Sequence, residues 1–163
     1  MTTLQMSDES GLDGPLGMLA DQLDELDILY EQDEDDLVIL FGGECSVNVS
    51  YDDDIDSLQF ISSYLLEYPP LREKELWRFI GEMNVRSSMG GFTLYRSEQG
   101  VTLLYRHTHV VGGDLCIMQT SIMMSSISAV LERGCKAAQL LARSTLTAEQ
   151  VLDFMLEDAQ GEA

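Results

Sequence analysis

Residues 1–70 of this chain contain no lysine or arginine, against 18 aspartates and glutamates. Residues 71–163 hold 11 acidic and 9 basic side chains, so the net charge of -20 sits mainly in the first part. Such a field repels phosphate, which argues against nucleic acid or an anionic membrane surface as partner. It favours a basic partner as well as solubility. Cysteine is scarce and odd in number: Cys45, Cys116 and Cys135, with no CxxC or CxxH spacing. That pattern fits reduced, mostly buried thiols in a cytoplasmic protein, not a disulfide framework or a zinc site. No run of 18 apolar residues exists, so no membrane insertion is expected. The first residues, MTTLQMSDESGLDGP, lack the basic start and apolar segment of a secretory signal. Phosphate loops, nucleophile elbows and paired-carboxylate signatures are missing too. The expectation is a protein that is not an enzyme and uses no cofactor.

Only two histidines occur, and they stand close together. His107 and His109 share one face of a strand, a usable metal half-site. No third ligand lies near them in sequence, so a half-exposed strand pair is the plainer reading, with pH response as its one other use. The acidic clusters Asp33–Asp36 and Asp52–Asp56 lack the glycine and alternating spacing of a calcium loop and read as solvated turns.

What is present is organised around Gly90–Arg143. Two strands meet at Ser97-Glu98-Gln99-Gly100, and a long apolar helix carries Ile117, Met123, Met124, Ile127 and Leu131. The hairpin needs one face covered, and the helix needs most of its girth covered. Each is the other's natural partner. Ahead of them, Leu16, Leu19, Leu23, Leu26 and Leu29 recur at helical spacing from Pro15 to about Gln32. Leu37–Phe41, a Gly42-Gly43 turn, the alternating Glu44–Tyr51 and then Ser57–Leu66 read as three strands. Tyr68-Pro69-Pro70 breaks the chain before a helix striped with Leu76, Phe79, Ile80 and Met83, with Trp77 at the stripe's border. Asp114 is the expected N-cap of the long helix, and Thr147 with Gln150 has capping-box spacing for a last helix over Ala148–Leu156. The expected class is α+β: an antiparallel sheet of about five strands with helices on one face, in the order α-β-β-β-α-β-β-α plus a short C-terminal helix. Residues 1–14 are expected as a disordered tail, 15–146 as one domain, and 147–163 as the added helix and tail.

This order resembles the type III secretion chaperones of the CesT/Tir class and the related YbjN-like proteins. The likeness rests on the Leu16–Leu29 helix, the LVILFGGECSVNVSYDDD hairpin, the ELWRFIGEMN helix end and the GFTLYRSEQGVTLLYR hairpin feeding a long helix. The final helix and the HVVGGDLC junction depart from the minimal pattern. The resemblance implies a homodimer that binds the unfolded N-terminal segment of a secreted effector and presents it to the export machinery, its ATPase included. In that family the middle helix supplies dimer contacts, which here implies Leu76, Trp77, Phe79, Ile80 and Met83. Their apolar arc is wide enough to serve both a core and a second copy. The client is expected on the first helix and the sheet, at Leu23, Leu26, Val47, Val49, Phe60 and Leu94. The alternative is a YbjN-like regulatory or adaptor protein that uses the same fold on folded partners.

Overall fold

The computed structural model describes residues 12–42, 45–66, 72–97 and 100–161, without the side chains of Ser97 and of 156–161. In order these form α1 (Gly14–Glu25), β1 (Tyr30–Asp33), β2 (Asp36–Leu40), β3 (Ser46–Asp52), β4 (Ser57–Leu66), α2 (Glu73–Arg86), β5 (Gly91–Ser97), β6 (Gly100–Val110), α3 (Ile117–Arg143) and α4 (Ala148–Gly161). The strands make one antiparallel sheet in the order β1-β2-β3-β4-β6-β5. The α+β class and the element order agree with expectation, with one short strand added. The tail up to residue 11, Gly43-Glu44, Tyr68-Pro69-Pro70 and Glu98-Gln99 lie outside the described residues.

The added strand comes from an early helix stop. Asp27 adopts a left-handed conformation, φ 54°. The Ile28 amide then donates to Leu23 O at 2.9 Å, and the Asp27 amide to Asp24 O at 3.2 Å. This is a Schellman closure, with aspartate where glycine is usual. The helical leucine spacing therefore runs past the helix itself. Leu29 is 72% exposed in the loop, and Tyr30 opens β1 opposite Ile39.

Alternation assigns the two sheet faces. Leu37, Ile39, Val47, Val49, Leu58, Phe60, Leu103 and Tyr105 share one side and are fully or almost fully buried. They join Leu19 and Leu23 of α1, Leu76 and Phe79 of α2, Ile127 and Leu131 of α3, and Val151 of α4 in a single core. Each such side chain contributes roughly 1.5–3 kcal/mol on burial, so this face carries the stability of the fold. Helix α3 approaches the sheet closely at Gly134. A Cβ there would meet the Phe92 ring at 2.5 Å, and that ring packs on Tyr105 with centroids 5.2 Å apart.

The start of α3 differs from expectation. Its N-cap is Cys116, in extended conformation, and Asp114 precedes the helix without capping it. Gln22 of α1 instead ties down this region: its Nε2 donates to Leu115 O at 2.6 Å, and its Oε1 accepts from Thr120 Oγ1 at 2.5 Å. The Thr147–Gln150 capping box forms as expected. The Thr147 amide donates to Gln150 Oε1 at 2.9 Å and the Gln150 amide to Thr147 Oγ1 at 3.3 Å. Helix α4 is then fixed to α2 by the Ala148 amide donating to Glu75 Oε2 at 2.8 Å. Arg72 completes the join with hydrogen bonds to Leu141 O and Leu146 O.

Candidate partner-binding surface

The opposite face of the sheet has no described helix upon it. Across it run Val38 and Leu40 of β2, Asn48 of β3, Ile61, Ser63 and Leu65 of β4, Thr102, Leu104, Arg106 and Thr108 of β6, and Thr93 and Tyr95 of β5. Register sets Ile61 beside Asn48 and Arg106, and Leu104 between Ser63 and Thr93. The result is an apolar spine with hydroxyl and amide groups between its members. Leu65 is 52% and Tyr95 63% exposed. From β3 to β5 its charges are Asp52 at the end of β3 and Arg106 in the interior. The β1–β2 corner adds Glu31, Asp33, Glu34, Asp35 and Asp36, so the field across the surface is strongly graded.

The two sheet edges are not equivalent. On β5, Asn84 of α2 closes part of the edge. Its Nδ2 donates to Phe92 O at 2.8 Å, and its Oδ1 accepts from the Phe92 amide at 2.7 Å. One side-chain amide thus stands in for the peptide group of an added strand, and strand addition at that position is blocked. On the other side β1 is short and heavily acidic, which also discourages pairing.

Four of the six residues expected to meet a client need correction. Leu23, Val47, Val49 and Phe60 are all 0% exposed and face the helices. Leu26 and Leu94 are half-buried. Alternation separated the strand faces, but which face the helices cover depends on long-range packing. The surface residues that sequence reasoning missed are Val38, Ile61, Leu65, Tyr95 and Leu104. Their signal was available in part, since strands such as Val101–Val110 place apolar residues on both faces. The expected dimer stripe divides in the same way. Leu76, Phe79 and Ile80 are at most 3% exposed and belong to the core, because i, i+3, i+4 spacing puts them on the inner side of α2. Trp77 is 47% exposed and Met83 half-buried, so those two remain accessible.

His107 and His109 lie on the covered side of β6, with ring centroids 6.5 Å apart. His107 pairs across from Phe60, and its Nε2 is buried without a hydrogen-bond partner. Burial, then the neighbouring His109, lowers its pKa. Among the described residues no group of three or more His, Cys, Asp or Glu is placed to hold a metal ion. Cysteine burial is mixed: Cys116 is exposed, Cys45 half-buried and Cys135 buried. Burial first, and the Cys45 thiol beside it, push Cys135 up to about 12. None of the described helices is long and apolar enough to cross a membrane.

Residues 15–133 match the model of a family named YbjN and described as "Putative bacterial sensory transduction regulator". Among solved structures, one similar chain is titled "Crystal structure of YbjN, a putative transcription regulator from E. coli". It has a TM-score of 0.59 at 15% identity, over 76% of this chain and 91% of that one. Another belongs to the HopA1-SchA chaperone-effector complex, with a TM-score of 0.52 at 14% identity, over 75% of this chain and 90% of that one. At these identities the likeness is one of fold. No curated protein sequence matches the chain.

Proposed function

The chain belongs to the YbjN family, and from that premise we propose that it is a binding protein, not an enzyme, which takes up an extended segment of another protein across the bare sheet face. One observation carries this reading. A spine of Val38, Ile61, Leu65, Leu104 and Tyr95 lies on the face opposite the helices, beside a flank without positive charge. An unfolded segment gains apolar contacts there and loses its freedom only on binding. The acidic flank speeds capture of a basic segment and makes capture sensitive to salt. The fold shared with a chaperone-effector complex supports the finer reading: a cytoplasmic chaperone whose client is the N-terminal segment of a secreted effector, delivered to an export apparatus and its ATPase. A second copy would meet α2 at Trp77 and at Val85, which is 84% exposed, with Gly81 between them permitting close approach.

The test is affinity purification of the wild-type protein and of Ile61→Asp and Leu104→Asp variants, followed by limited proteolysis of bound chains. The expected result is a partner whose N-terminal segment is protected in the wild-type complex and released by either substitution. Protection that survives both substitutions would remove the sheet face from consideration. The regulator reading follows from the family's description. It predicts that the same purification returns folded regulatory proteins and no segment protected from protease.

A further inference from the structure

Helix α4 lies beyond the family match, which ends at residue 133, and it creates a groove on the helical side of the molecule. Met83, Arg86 and Ser87 of α2 and its end, Ala129, Val130 and Arg133 of α3, and Leu152 and Met155 of α4 line this groove, about 190 Å³ in volume. Its floor is apolar and rich in adaptable methionine. Its rim is cationic. Arg133 makes no hydrogen bond or ion pair among the described residues. Among the described residues Arg86 pairs with Glu82 alone, at 3.7 Å in a half-exposed pair. Pairs of that kind are worth little and exchange readily. The groove continues through Arg86 and Leu152 into a second hollow, where Arg78 stands with Glu82, Glu149 and Asp153. Three carboxylates line that second hollow, so the seat for negative charge is the first, between Arg86 and Arg133.

We infer that this groove is a second protein-docking site, specific for an acidic amphipathic segment of a partner, and separate from the sheet face. Apolar side chains of the segment would sit on Met83, Val130, Leu152 and Met155, and its carboxylates would engage Arg133 and Arg86. Charge argues for this occupant. The net charge of -20 repels acidic chains from most of the molecule. Here two guanidiniums flank the apolar floor, Arg133 with no ion pair within 4 Å among the described residues, and guanidinium–carboxylate contacts supply both direction and attraction. Helical anchors at i and i+4 fit a groove of this form. The protein then has two docking faces of opposite preference, one on each side of the sheet.

The experiment uses the full-length protein and a panel of fluorescent amphipathic peptides with Leu and Phe anchors. Half the panel carries Asp and Glu, and half carries Lys at the same positions. Acidic members are expected to bind the wild type, and Arg86→Gln with Arg133→Gln is expected to weaken them at least about tenfold. Leu104→Asp, on the sheet face, is expected to leave that affinity unchanged. The inference is overturned if no acidic member binds more tightly than about 1 mM, if the double arginine variant binds like the wild type, or if Leu104→Asp removes the binding. Both arginines are exposed, so the variants test the rim and not the fold.

Discussion

Strands β4 and β6 present two faces of the same backbone, and the two are used differently. On one, Leu58, Phe60, Leu103 and Tyr105 are sealed under α3 and its neighbours. On the other, Gln59, Ile61, Ser63, Leu65, Thr102 and Leu104 carry nothing above them among the described residues. Apolar residues occur on both. Hydrophobicity alone therefore does not identify a core; the helix layer does. A face that keeps apolar groups without a cover is the one with contacts left to offer.

The sharpest way to break this contrast is a pair of substitutions at adjacent positions. Phe60→Ala should cost about 3–5 kcal/mol in urea unfolding, since it empties a filled site. Ile61→Ser should cost less than about 1.5 kcal/mol in the same measurement while weakening partner capture. Equal losses at the two positions would mean that the outer face is covered after all. A second probe crowds the helix side. Gly134→Leu forces a side chain into the Phe92 ring and should lower stability by about 1–3 kcal/mol, read from the urea midpoint.

Acidity tests the covered face in another way. His107 has a folded pKa below its unfolded value of about 6.5. The unfolded chain therefore takes up the proton first, and stability present above about pH 6.5 falls as pH drops through the folded value. His107→Gln should flatten that acid limb in thermal melts at pH 5 to 7. Tyr105 sets the opposite limit. Burial raises its hydroxyl to about 12, so its contribution is complete below about pH 10 and is lost as pH climbs through 12. Tyr105→Phe should shift that alkaline limb.

Smaller effects sharpen the comparison at the sheet edge and among the thiols. Asn84→Ala should cost about 1 kcal/mol and expose the Phe92 peptide group, giving concentration-dependent association by light scattering. Alkylation near neutral pH should mark Cys116 first and leave Cys135 unlabelled, with no change in stability. Mass spectrometry of the labelled chain checks this.

Much of the architecture was legible beforehand. The long α3, the Gly100–Val110 alternation and the Thr147–Gln150 cap all follow from spacing of two, three or four residues. The end of α1 was not, because a left-handed Asp27 carries no mark as clear as glycine would. The site was legible only in its charge. Val47, Val49 and Phe60 have the same local pattern whether helices or a client cover them, so local pattern could not place them. In sequence Asn84 is one polar residue near a helix end, and its role depends on β5 arriving alongside.

By itself, then, the amino-acid order determined which residues alternate, where helices run and where negative charge gathers, since these are properties of neighbours along the chain. Only the tertiary structure decided which sheet face is bare, which edge Asn84 closes, and that α4 leaves a cationic groove beside α2 and α3. Those outcomes arise from contacts between segments distant in sequence, and no short window of residues contains both partners.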